Sequence, residues 1–177
     1  EDPVAAIGAY WARRRQPTSE ELRILTRVAN GAAVALTNVS LFQALANSRE
    51  EAVRAKDAII FAMASLAEVR DNETGNHIYR TQHYMGALAE AARPYYPDEL
   101  NEWIVDLLFK SAPLHDIGKV GVPDSILLKP GRLDPEEYAI MRTHAELGRR
   151  AISAAEQKLG PSTFLTLARE IAHTHHE

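Results

Sequence analysis

The sequence predicts a mainly α chain, a bundle of helices preceded by one long helix, and three observations carry that prediction. Apolar residues recur at three- and four-residue steps from Leu22 to Leu66, and no Pro or Gly interrupts from Ala32 to Arg70. Helix ends are marked in the second half of the chain, at Asp134-Pro135 and at Gly160-Pro161. Only one short segment, residues 4–12, shows the alternation of a strand.

In chain order, VAAIGAYWA sets Ile7, Ala9 and Trp11 against Ala6, Gly8 and Tyr10, the period of a β-segment. One strand cannot stand alone, so its partners are expected outside this sequence or in a second copy. Thr18 then caps a helix, and Glu21, three residues on, completes a capping box. The stripe that follows runs through Leu22, Leu25, Ala29, Ala32, Leu36, Val39, Phe42, Ala46, Val53, Ile60, Met63 and Leu66. A narrow stripe of that length favours a parallel coiled-coil homodimer over the core helix of one globule.

Shorter helices follow Arg70. One holds NHIYRTQHYMGALAEAA, and another runs toward His115 but should bend or restart at Pro113, which lacks an amide hydrogen and crowds the carbonyl of Phe109. VGVPDSILLKPGRL, with two Pro and two Gly, reads as an ordered loop. Asp134, Pro135 and Glu137 supply a cap, a first-turn proline and a capping-box acid. TFLTLAREIAHTHHE forms the last helix.

Composition narrows the chemistry. A chain of 177 residues that is 46% hydrophobic suits one domain, or one domain and part of another. With no Cys there is no disulfide or thiolate site, so any metal must be held by His, Asp and Glu, a donor set that suits iron, manganese or zinc. The net charge of −4 gives no basic field for duplex nucleic acid. No run approaches the roughly 20 consecutive apolar residues of a membrane span, and the acidic start lacks a signal peptide's basic region, so a cytoplasmic protein is expected.

Helix geometry sorts the seven histidines. At about 100° per residue, His175 lies within the face of Phe164, Leu167, Ala168, Ile171 and Ala172, with His176 on its flank and His173 opposite. His77 shares a face with Thr81, Tyr84, Met85 and Leu88, whereas His83 points away. Glu73 precedes His77 by one turn, so carboxylate and imidazole can reach one point. His115 continues the face of Ile104, Leu107, Leu108 and Ser111, and His144 joins Ile140, Met141, Gly148 and Ala151. A lone histidine on an apolar face is more often a hydrogen-bonded core residue than a ligand. Five inward imidazoles with the carboxylates of Glu73 and Asp116 would be very costly to bury together, and a divalent cation removes that cost. Lys119, one turn beyond Asp116 with Gly118 leaving room, can meet a phosphate oxygen; alone it would read as a surface ion pair.

HDIGKVGVPDSILLKPGRLDPEEYAIMRTHAELG, ETGNHIYRT and the terminal HHE together resemble the HD-GYP family, a branch of the HD phosphohydrolases, over residues from about 58 to 177. The resemblance implies an all-helical HD bundle that hydrolyses cyclic di-GMP to pGpG and in some members to GMP, with two or three metal ions, iron or manganese. It puts Glu73, His77, His115, Asp116, His144, His175 and His176 on ligand positions and Lys119 on the phosphate-contacting one. Catalysis would rest on Asp116 bridging the metals, with water activated there for in-line attack on phosphorus and Lys119 neutralising charge. Residues 4–46 look more weakly like the last strand and last helix of a GAF sensor domain. The implied organisation is a GAF-like remnant over 1–46, a connecting helix over 47–70 that runs into the bundle from about 58, and an HD-GYP-like domain over 71–177.

The sequence stops at HHE, before the Gly-Tyr-Pro segment and a further metal-binding Asp of the family, so weakened metal affinity and little hydrolysis are expected of these 177 residues alone. Two other functions stay open. One is a signalling or dimerisation module that does no chemistry; the other is an HD phosphohydrolase acting on another nucleotide or phosphate ester.

Overall fold

Thr18 and Glu21 open helix α1 (Ser19–Arg70) with the reciprocal bonds of a capping box. The Glu21 N–H donates to Thr18 Oγ1 at 3.2 Å, and the Thr18 N–H donates to Glu21 Oε2 at 2.8 Å. The structure, a computed structural model, describes residues 5–71 and 76–177. Its remaining helices are α2 (His77–Ala92), α3 (Glu102–Ser111), α4 (Asp124–Leu127), α5 (Pro135–Leu159) and α6 (Thr163–Thr174), with two 3₁₀ turns, Ala112–Leu114 and Ile117–Gly121. The mainly α class holds. Among the described residues there is no strand: from Ala5 to Trp11 the expected β-segment has no regular structure, since no neighbouring strand offers it a ladder.

The chain divides into two compact units, Glu1–Arg54 and Ala55–Glu177, with the boundary inside α1. In the first unit the large apolar side chains of α1 are exposed, among them Val34, Leu36, Val39, Leu41, Phe42 and Leu45. At about 100° per residue these six spread round most of the helix rather than along the narrow stripe expected. By length and composition α1 is apolar enough to cross a membrane, which corrects the expectation from uninterrupted runs. Asn, Gln, Ser and Thr break those runs, yet nothing between Arg27 and Arg49 is charged.

In the second unit the end of α1 buries Ala64 and Ala67. Leu114, Ile152, Ala168 and Ala172 form one core, with Ile60, Ile117, Phe164 and Leu165 packed against it. As Pro113 requires, the α-helical path stops at Ser111 and continues as a 3₁₀ turn. The stretch expected as a loop before Asp134 contains a 3₁₀ turn and α4, because Val122, Ile126 and Leu127 make a buried cluster of their own with Leu133 and Met141. Asp134 and Glu137 complete the capping box of α5, and Gly160, at φ +89°, ends that helix.

Two glycines let the site close. A Cβ on Gly118 would sit 1.9 Å from the carbonyl oxygen of His144 and 2.5 Å from the amide nitrogen of Gly148. The space that the sequence reading gave to the Lys119 ammonium is therefore filled by the backbone of α5. Gly148 in turn lets α5 approach Ala172 of α6, where an added Cβ would stand 3.4 Å from the alanine's own.

Candidate metal centre

Three of the inward imidazoles, two of them buried, have one nitrogen committed. Nδ1 of His115 lies 3.0 Å from the Ala112 carbonyl, Nδ1 of His144 2.7 Å from that of Met141, and Nδ1 of His175 3.1 Å from that of Ala172. A carbonyl only accepts, so Nδ1 is the donor in all three rings, and Nε2 is the nitrogen turned inward. Local structure dictates this: each ring bends back onto the carbonyl three residues earlier at the end of a turn or within a helix.

The Nε2 atoms converge on Asp116. Oδ2 lies 3.2 Å from Nε2 of His115, while Oδ1 lies 3.3 Å from Nε2 of His144 and of His175. Beyond these, His77 and His115 approach Nε2 to Nε2 at 3.2 Å, His144 and His175 at 3.0 Å, and His144 and His176 at 3.1 Å. Among the described residues two donor groups result, Asp116 with His144, His175 and His176, and Asp116 with His77 and His115. The structure thus brings together every sequence-selected ligand except Glu73, which lies outside the described residues. His83 and His173 are exposed, as their outward faces require.

Lone pairs packed this closely repel unless something positive stands among them. Burial opposes the charge of Asp116, yet hydrogen bonds to His115, His144 and His175 hold its carboxyl far below the usual carboxylate range. With Nδ1–H already present, such a bond from Nε2 needs an imidazolium; a cation serves the same carboxylate without it. Burial lowers His115 while Asp116 raises it, leaving it above the ordinary imidazole value. Burial and the neighbouring His175 and His144 rings push His176 below that value. Neighbouring ligands on an octahedral ion with bonds of about 2.1–2.3 Å lie about 3.0–3.3 Å apart, the range of the contacts here, so the donors fit divalent cations.

Lys119 is held more firmly than the sequence suggested. Its Nζ is 2.8 Å from Asp116 Oδ2 and also bonds Asp71. Burial disfavours its charge, but these two carboxylates raise it above the ordinary lysine value. Asp71, Lys119 and the imidazoles line a cleft of about 540 Å³, with Thr81, Met85, Met141 and Ile171 as the less polar wall. That volume falls within the roughly 300–1,000 Å³ typical of small-molecule sites. Tyr84 and Leu88, placed by the sequence on the face of His77, are instead exposed at 69% and 68%.

Three residues escaped the sequence reading, Glu68, Arg70 and Asp71. They belong to EVRD, the charged stretch that follows the uncharged run AIIFAMASLA (residues 58–67) just before the His77 segment. That change of composition was the available signal.

The HD domain family matches residues 74–177. A cyclic di-GMP phosphodiesterase of Vibrio cholerae is 50% identical over 146 residues, covering 81% of this chain and 30% of its own. A probable cyclic di-GMP phosphodiesterase of the same organism is 56% identical over 127 residues, covering 70% and 29%. A 3'3'-cGAMP-specific phosphodiesterase, also from Vibrio cholerae, is 40% identical over 119 residues, covering 67% and 21%. The chain therefore spans less than a third of the length of these relatives.

Proposed function

The chain belongs to the HD domain family, and we propose that it carries the core of a signalling phosphodiesterase of the HD-GYP kind that hydrolyses cyclic di-GMP to pGpG and GMP. The observation that carries this is Asp116, whose two carboxylate oxygens face two separate groups of imidazoles while Lys119 stands 2.8 Å away. The names of the two cyclic di-GMP relatives support the substrate.

His77 and His115 would hold one ion, His144, His175 and His176 another, and Asp116 both, with Glu73 as a further ligand; iron or manganese suits this donor set. Divalent ions bound there supply a nucleophile from water at neutral pH, by lowering its pKa from 15.7 to about 7, and a sink for charge on the phosphoryl oxygens. Lys119 adds a fixed cation at the rim, aimed by Asp71 and Asp116, to take the non-bridging oxygen of the scissile phosphate. Thr81, Met85, Met141 and Ile171 give the bases and riboses a largely apolar wall.

We read α1 as the rod of a parallel homodimer and residues 4–46 as GAF-like, on the exposed apolar side chains of α1 and the sequence resemblance. Sedimentation of the parent as a dimer, and of Leu36→Glu with Val39→Glu as a weaker one, tests the rod.

Hydrolysis is tested with a metal-loaded full-length protein and a panel of cyclic di-GMP, 3'3'-cGAMP and simple phosphodiesters. Cyclic di-GMP should be cleaved fastest, and Asp116→Asn should abolish cleavage. Faster turnover of 3'3'-cGAMP would move the assignment to the substrate named for the third relative. A protein that purifies and reconstitutes without metal would instead be a non-catalytic signalling module.

A further inference from the structure

We propose that the last turn of α1 is a jig for the metal centre, with Arg70 and Glu68 as positioning residues that each hold a different part of it. The inference rests on the reading above that the imidazoles and Asp116 bind divalent ions.

Asp116 and Lys119 sit on the 3₁₀ turn Ile117–Gly121, Asp116 at its N-cap. A turn this short has poor internal hydrogen bonds and leaves its final carbonyls needing partners. Arg70 supplies them. Its Nη1 donates to the carbonyls of Lys119, at 3.3 Å, and Val120, while Nη2 donates to the carbonyl of Val122 at 3.3 Å and to Asp124 Oδ1 at 2.6 Å. The planar guanidinium thus spans three carbonyls and a carboxylate, which a lysine ammonium at the same place cannot do. From the other side the turn rests on the backbone of α5 through Gly118. Asp116 is therefore fixed between α5 and the end of α1.

Two residues earlier, Glu68 Oε1 accepts from the backbone N–H of His77 at 3.1 Å and of Ile78 at 3.4 Å. These are among the amides that a helix leaves open at its start, and Asn76, the N-cap of α2, makes no side-chain bond to them. Glu68 does the work of a cap from another helix and so fixes where the His77 ring begins.

The two arms differ in what they reach. Asp116 belongs to both donor groups, whereas His77 belongs to one. Loss of the Arg70 arm should loosen both ion positions; loss of the Glu68 arm should loosen only the His77–His115 position. A merely structural role would lower thermal stability without that selectivity.

The experiment is Mn²⁺ titration of the full chain, followed by electron paramagnetic resonance and metal analysis, with melting temperatures in parallel. The parent is compared with Arg70→Met, Arg70→Lys, Glu68→Ala and Asp124→Asn. Arg70→Met should weaken every Mn²⁺ position by about ten- to a hundred-fold, the range for groups that orient metal ligands. Arg70→Lys should recover little of that loss, and millimolar ethylguanidinium added to Arg70→Met should restore part of it. Asp124→Asn, which keeps the three carbonyl contacts, should stay near the parent. Glu68→Ala should weaken one position and spare the other. Parent-like Mn²⁺ affinity in Arg70→Met, or equal losses at all positions in Glu68→Ala, would overturn the inference. A parent that binds Mn²⁺ but hydrolyses no cyclic dinucleotide would sink the proposed function alone; a parent that binds no Mn²⁺ would sink both.

Discussion

The two imidazole groups around Asp116 are built differently. His144, His175 and His176 come from α5 and the end of α6, helices brought close by Gly148, Ala168 and Ala172. His77 and His115 come from the first residue of one helix and the cap of a 3₁₀ turn, where regular structure offers little rigidity. Packing therefore holds the first group; in the second, Glu68 at the end of α1 holds the start of the His77 helix, while His115 follows the buried Ala112, Pro113 and Leu114. Both groups share Asp116, so the centre is only as rigid as the turn that carries it.

Gly118→Val should abolish the comparison by damaging both halves. Its Cβ would stand 1.9 Å from the His144 carbonyl, and the required parting of the turn from α5 should cost about 3 kcal/mol or more, measured by urea unfolding. Hydrolysis should vanish with it. Parent-like stability would mean that the close approach of the turn to α5 is wrong.

Removing one histidine from each half sharpens the comparison. His115→Ala empties a ligand position that is 8% exposed and next to His77, so the His77 side should lose its ion. His176→Ala takes the exposed member from the other side, where His144 and His175 remain, and should weaken one ion by a smaller factor. Metal analysis at increasing chelator concentration separates the two outcomes; equal losses would mean that the halves are not distinct.

Titration of the metal-stripped protein should also tell the halves apart. Asp116 keeps His115 above the ordinary imidazole pKa of about 6.5, whereas burial and its histidine neighbours keep His176 below it. The protonated His115 then contributes stability that is fully present below about pH 6.5 and is lost as pH rises through its folded value. Imidazole proton shifts followed by nuclear magnetic resonance in chelator should show His176 losing its proton before His115. The reverse order would contradict the geometry around Asp116.

The smallest effect lies away from both halves. Asp134 caps α5 by accepting from the amides of Glu136 and Glu137 at 3.0 and 2.9 Å, so Asp134→Ala should cost about 1 kcal/mol and leave metal binding unchanged. A loss of metal would mean that the start of α5 steers His144.

The imidazoles that meet around Asp116 are legible in the sequence because each lies on a face with apolar neighbours, and a 3.6-residue period makes such faces visible. The capping boxes at Thr18 and Asp134, the break at Pro113 and the stop at Gly160 were legible because their chemistry is local. What lay hidden depends on contacts between distant segments. Arg70 meets the carbonyls of Lys119, Val120 and Val122 across about fifty positions of chain, and no periodicity marks such a partner. The sequence marks Gly118 as a place with room, but only the fold shows that the backbone of His144 and Gly148 fills it. The alternation of residues 4–12 misled because period alone does not supply the neighbouring strand that makes one.

Metal stoichiometry of the Mn²⁺-loaded parent beside Asp116→Ala tests the central claim most directly, that one carboxylate ties two imidazole groups into a single centre. The account predicts at least two ions per parent chain and the loss of tight binding at both positions in the variant. An Asp116→Ala protein that holds as many ions as the parent, at similar affinity, would contradict it.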